Sequence, residues 1–168
     1  TSMGWTPLEG LPMTERVGDI DPGVIGFISG KLQEEGKNID KFLGEECGLE
    51  AISGVNKGDI PELLEEEKKG NNDAKLALEI YTYKIRKYIG AMSATLGGCD
   101  MLVFTGTVGL RSYDIRERST EGLEYLGIIL DKEKNPKIYE PSDIEFIGEK
   151  VAVVPIDEMR EIANSTRM

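Results

Sequence analysis

The order of apolar runs and chain breakers predicts an α/β protein with helices packed on a small, mainly parallel sheet. Three observations carry this. The second half of the 168-residue chain alternates helix, strand, loop, helix, strand, strand, helix. The apolar run Met101-Leu102-Val103-Phe104 follows directly on the strongest helical pattern, as a buried strand of a parallel sheet does. Strand-to-helix turns follow Phe104 and Val154, and open α/β sheets bind ligands beyond the carboxyl ends of such strands.

The elements can be justified in order. Residues 4–22 are rich in Gly and Pro and read as irregular. Asp21-Pro22 opens a helix, an N-cap followed by a first-turn proline. That helix should turn Val24, Ile25, Phe27, Ile28 and Leu32 inward and stop near Gly36. A second short helix spans residues 38–46, with Ile39, Phe42 and Leu43 on one side. Residues 48–55 form a short apolar piece ending in a turn. Asp59-Ile60-Pro61 starts an acidic helix that ends near Gly70. The strongest helix begins at Asn72, carries Leu76, Ile80, Tyr83 and Tyr88, and ends at Gly97-Gly98. Apolar on several sides, it should be largely buried. After the strand at 101–104 come a tight loop at Gly106-Thr107-Val108-Gly109 and a helix over 112–126. Strands follow at 128–130, 144–147 and 151–154, and a closing helix at 157–164.

A chain of this length reads as one domain, 1–168, with enough residues for a sizeable core. Its net charge of −11 repels nucleic-acid backbones and anionic lipids, so neither is an expected partner. No run of ~18 apolar residues is present, so no membrane span is expected. Nor is a basic-then-apolar leader visible, and a cytoplasmic protein is the expectation. Cys47 and Cys99 stand far apart outside any motif, which fits reduced thiols. There is no histidine, so the commonest general base and metal ligand is missing.

Three constellations could carry chemistry. Gly106, Thr107, Val108 and Gly109 sit between a strand and a helix, where backbone N–H groups can approach a phosphate. The same residues also make an ordinary tight turn. Asp157 and Glu158 lie at a strand end and suit Mg²⁺, or equally serve as an N-cap and a first-turn acid. Arg16 can hold a carboxylate or phosphate bidentately, or form a structural salt bridge with Glu15, Asp19 or Asp21.

Longer stretches then carry a resemblance. Residues 1–13 (Thr-Ser-Met-Gly-Trp-Thr-Pro-Leu-Glu-Gly-Leu-Pro-Met) are very similar to a signature of the acetate kinase family. Residues 14–22 resemble that family's Thr-Arg-Ser-Gly-Asp-Ile-Asp-Pro. Ser53-Gly54-Val55, Gly70-Asn71, residues 74–78, 87–91 and 121–127, and the end from Pro155 to Ala163 fit in the same order, so the likeness covers the whole chain. It implies the C-terminal lobe, incomplete, of an acetate and sugar kinase/actin-like (ribonuclease H-like) fold. It also implies reversible phosphoryl transfer between ATP and acetate or a similar short-chain carboxylate, forming the acyl phosphate, with Mg²⁺. By resemblance Arg16 is the substrate-side arginine that stabilises the transferring phosphoryl group, and Glu158 is the Mg²⁺ glutamate. Gly106, Thr107, Val108, Gly109, Leu110 and Arg111 fall on the ATP/ADP loop. Asp59, Ile60 and Pro61 fall on a second nucleotide segment. The family's homodimers imply a homodimer here.

Departures accompany the likeness. Where the family's loop reads Gly-Ile-Gly-Glu-Asn, this chain has Thr107-Val108-Gly109-Leu110-Arg111, and Pro61 stands where the family has arginine. Lost polar partners in a buried site cost about 1–3 kcal/mol each, and Arg111 offers a different phosphate contact. The family's N-terminal phosphate motif, catalytic aspartate and histidine-bearing segment precede the stretch matched here. The expectation is therefore a chain inactive by itself, completed by an N-terminal lobe or companion chain. The alternative is an inactive relative acting as a binding or interaction protein.

Overall fold

A computed structural model describes residues 1–157, 162–163 and 165–166. By backbone proximity the chain separates into two compact units, residues 1–88 and 89–168, with the division inside the longest helix.

The first unit is helical. Asp21 caps α1 (Pro22–Glu34) by accepting from the Gly23 N–H, 2.7 Å away. Asn38 caps α2 (Ile39–Glu45) and Asp59 caps α4 (Ile60–Lys68), where the sequence predicts helices over 38–46 and from Asp59; α3 spans Gly48–Ser53, where it predicts only a short apolar piece ending in a turn. α5 runs from Asn72 to Leu96. The inward face of α1 is narrower than expected. Leu32 is buried, Ile25 and Ile28 are half-buried, but Val24 and Phe27 are exposed. Ile25, Ile28, Ser29 and Leu32 form one i, i+3, i+4, i+7 row, and Val24 and Phe27 fall outside it. The Lys31 amine instead lies 4.6 Å over the Phe27 ring. α5 buries a different stripe from the one its large residues suggest. Ala74, Ala77, Leu78, Tyr81 and Thr82 are buried, while Leu76 and Tyr83 are exposed. Two helical-period stripes compete in this sequence, and the one led by small alanines is the one packed.

The second unit holds the sheet, in the order β1-β3-β2, with β1 at Leu102–Phe104, β2 at Glu145–Gly148 and β3 at Val151–Val153. β1 and β3 are parallel, β2 and β3 antiparallel, so the sheet is mixed rather than mainly parallel. The expected strand at 128–130 is reduced to a bridge between Leu130 and Gly148. One face, with Val151 and Val153, lies on a core of Leu123, Ile128 and Ile147. On the other, Val103 and Phe146 flank Ala152 and are about half exposed. β1 is thus an edge strand among the described residues and is not fully buried.

The connection after β1 also differs. Gly106, with φ +68°, turns the chain straight into a helix, α6 (Gly106–Arg111), instead of a loop. Ser112 caps a separate α7 (Tyr113–Thr120) by accepting from Ile115 N–H. Gly122, in a left-handed conformation, separates it from a 3-10 turn at Glu124–Leu126, so the single helix over 112–126 is replaced by two short pieces. Of the closing helix expected over 157–164, Asp157 is not helical, Ile162 and Ala163 are helical, and the rest lies outside the described residues.

Leu63 is fully buried in α4. Leu63→Ala should lower stability by about 2–5 kcal/mol, read as a lower urea midpoint with the helical circular dichroism retained. If residues 1–168 fold as one domain, probes in both units should report the same lowered midpoint.

Candidate functional site

In the first unit the Arg16 segment is tied down by its backbone. The carbonyls of Met13, Thr14 and Glu15 accept from the N–H groups of Leu49, Glu50 and Cys47 at 2.9, 2.9 and 3.0 Å. The Val17 N–H donates to the Leu43 carbonyl at 3.0 Å. A Cβ at Gly48 would run into the Met13 carbonyl, so only glycine lets the segment lie this close on α3. The Asp59 turn converges on the same place. A Cβ at Gly58 would lie 2.6 Å from the Glu50 nitrogen that bonds Thr14. The first turn of α3 therefore separates the two candidate segments of this unit. Asp59 itself is exposed and engaged as the α4 cap, and Ile60 is buried. Pro61 sits in the first helical turn, where a missing N–H costs nothing.

Two of the three acids near Arg16, Asp19 and Asp21, are occupied by other partners. Asp21 caps α1. Asp19 accepts from the Gly10 N–H at 2.9 Å and from the Tyr88 hydroxyl at 3.0 Å, with the Lys84 amine 3.6 Å away. Burial opposes the charge on Asp19, but Gly10, Tyr88 and Lys84 outweigh it and hold the carboxyl below the ordinary carboxylate range. Among the described residues no ion pair holds the half-buried Arg16 side chain, so the structural salt bridge weighed from the sequence does not form there.

In the second unit, parallel pairing puts the carboxyl ends of β1 and β3 side by side. The Val154 N–H extends the ladder by donating to the Phe104 carbonyl at 2.9 Å. Gly106–Arg111 and the segment carrying Asp157 thus leave the sheet together. Within α6, Thr107 is exposed, Val108 half-buried and Gly109 buried against Phe104. Leu110 packs on the core. Arg111 forms an exposed ion pair with Glu140, its Nε donating at 2.7 Å, and that hydrogen bond followed by the carboxylate's charge raises its pKa. Glu158 lies outside the described residues. Among the described residues no three Cys, Asp or Glu side chains gather to hold a metal.

Sequence reasoning missed Arg116 and Asn135, both fully buried. The Arg116 guanidinium donates to Asn135 Oδ1 (2.7 Å) and to the carbonyls of Gly109 (2.7 Å), Leu110 (3.2 Å), Asn135 (3.0 Å) and Ile138 (2.8 Å). Burial pushes its pKa down, and every partner is a neutral oxygen. The signal is faint, because α7 has one apolar residue, Ile115, to mark which face turns inward. Cys47 and Cys99 are free thiols, and burial, then Glu46, pushes Cys47 up.

With this geometry in place, the comparisons with known proteins identify the class. Residues 1–164 match the family model described as the acetokinase family, and the chain belongs to that family. It is 43% identical to an acetate kinase of Sulfurovum sp. strain NBC37-1 over 172 aligned residues, covering 100% of this chain and 43% of that protein. The acetate kinase structure from Porphyromonas gingivalis matches with a TM-score of 0.87 at 38% identity, over 99% of this chain and 42% of that one. A propionate kinase from Francisella tularensis matches with a TM-score of 0.78 at 32% identity, over 94% and 40%. The chain thus spans about two-fifths of the length of the relatives it matches.

The Asp19 cluster sets a pH dependence. Its pKa is lower folded than unfolded, so its contribution is complete above the unfolded value near ~4 and is lost as pH falls through the folded value. Asp19→Asn should be less stable than the parent at neutral pH. It should also lose stability less steeply on acidification below about pH 4, measured by denaturant titration at each pH.

Proposed function

We propose that these residues form the C-terminal part of a short-chain carboxylate kinase, moving a phosphoryl group between ATP and acetate or a close homologue. The observation that carries this reading is the parallel β1–β3 pair. It sends Gly106–Arg111 and the segment leading to Glu158 out of the same edge of the sheet, where α/β folds place phosphate ligands. Family membership supplies the reaction class.

In this reading Gly106, Thr107, Val108, Gly109, Leu110 and Arg111 line the nucleotide. Leu110 is turned into the core and Arg111 is paired with Glu140, so contact there falls to main-chain groups and Thr107. Asp59, Ile60 and Pro61 form the second nucleotide segment. Glu158 would hold Mg²⁺, which takes one or two carboxylates together with phosphate oxygens and water and needs no larger cluster. Bound there, the ion would neutralise charge between phosphate groups. Arg16, free of an ion pair among the described residues, is the group offered to the transferring phosphoryl. Groups from the rest of a full-length kinase complete the reaction, so these 168 residues alone should not turn over. A homodimer in the cytoplasm is part of the same proposal. Acetate and propionate both stay within it, since relatives of each kind match.

Calorimetric titration with Mg·ATP, Mg·ADP and Mg·pyrophosphate tests the reading. The folded chain should bind a nucleotide, and Glu158→Ala should weaken binding at least about tenfold, ~1.4 kcal/mol. Absence of heat with all three ligands would favour the alternative, an inactive relative that acts as a binding or interaction protein.

A further inference from the structure

We propose that Arg116 is the positioning residue of the nucleotide segment, fixing α6 as a bidentate cap that lysine cannot replace; this rests on the nucleotide reading of Gly106–Arg111 given above. A guanidinium has five N–H donors in a rigid plane. The five hydrogen bonds of Arg116 run to Asn135 Oδ1 and to the carbonyls of Gly109, Leu110, Asn135 and Ile138. Gly109 and Leu110 carry the last carbonyls of α6, which have no acceptor role within a helix this short. Asn135 and Ile138 lie at the 3-10 turn Asn135–Lys137. One cation therefore ties the carboxyl-terminal end of α6 to a 3-10 turn whose first residue is Asn135 and whose C-cap is Ile138. Neutral oxygens take the place of a counter-ion around a charge that is 0% exposed.

A six-residue helix has too few internal hydrogen bonds to hold its own direction. The direction of α6 comes from its ends: Gly106 at the strand, and Arg116 at the far side. Asn135 keeps the guanidinium plane in register. Its Oδ1 accepts from Nε, and its Nδ2 donates to the Tyr113 carbonyl at 3.0 Å in the first turn of α7. Lysine in this place would present a point charge with three donors and no plane. It could not reach both α6 carbonyls and both carbonyls of the 3-10 turn at once.

The test is Arg116→Lys in the same 168-residue chain, read by amide NMR and by titration with Mg·ADP. Expected are unchanged signals from buried residues of the first unit such as Leu63, displaced amide signals across Gly106–Arg111, and Mg·ADP affinity reduced tenfold or more. Parent-like affinity, within twofold, in a folded Arg116→Lys chain overturns the positioning role and leaves the nucleotide reading intact. A parent chain that binds no Mg·ADP overturns the nucleotide reading, and the positioning role with it. If Arg116→Lys does not fold, the Nη1–H signal of Arg116 in the parent decides. It should shift on Mg·ADP addition through the Gly109 and Leu110 carbonyls, and a signal that stays fixed while nucleotide binds overturns the proposal.

Discussion

Everything placed at the candidate nucleotide edge depends on the parallel pairing of two three-residue strands, β1 and β3. Parallel strands end on the same side, so the segments that leave them start as neighbours. An antiparallel arrangement of the same two strands would send residues 105–111 and 154–157 to opposite ends of the sheet. The pairing is short, and its stability comes mostly from burial. Val151 and Val153 are fully buried on the core, and β3 is flanked on both sides. The Val154 N–H to Phe104 carbonyl bond carries the pairing one residue past the strand, to where the chain turns away.

The second constraint is the placement of a charge. A buried guanidinium without a carboxylate is costly unless hydrogen bonds satisfy it. Arg116 is satisfied by main-chain oxygens of Gly109, Leu110, Asn135 and Ile138 together with the Asn135 side-chain oxygen. Arg16 is the opposite case. Its backbone is fixed against α3 by a run of hydrogen bonds, while Asp19 and Asp21, two of the three acids near it in sequence, are committed to Tyr88, Lys84 and helix capping. One arginine is held in the architecture, and the other has no ion pair among the described residues.

These two arginines also show how far the sequence could be read. The starts of these helices are legible because capping is local: Asp21 reads as a cap, and Asn38 and Asp59, where the sequence predicts two further helices to begin, also carry the oxygen that the following N–H groups require. The positions of β1, β2 and β3 followed from short apolar runs, and the turns at their ends from glycine and proline. What could not be read depended on neighbours distant in the chain. The stripe of α5 that is buried is chosen by the helices it meets, so Ala74 and Ala77 won over Leu76 and Tyr83. β2 pairs antiparallel because a two-residue turn, Glu149-Lys150, joins it to β3. Arg116 was invisible because its partners lie 6 to 22 residues away and, apart from Asn135 Oδ1, are backbone atoms, which leave no mark in side-chain pattern.

The departures of residues 107–111 from the family pattern gain a physical meaning from where those side chains go. Leu110 is partly buried against the core cluster, so its apolar character serves packing. Arg111 is exposed and bonded to Glu140, whose own N–H donates to the Leu110 carbonyl at 3.2 Å. That carbonyl also receives Arg116, so the far end of α6 is held from two sides. Gly109 is kept small by the backbone of Phe104. The side chains of Leu110 and Arg111 are thus engaged within the protein rather than turned to a ligand. A ligand at this edge would be met by main-chain groups and the Thr107 side chain. Main-chain contacts are tolerant of side-chain substitution so long as the backbone keeps its course, and in α6 that course is set by the strand on one side and a buried arginine on the other.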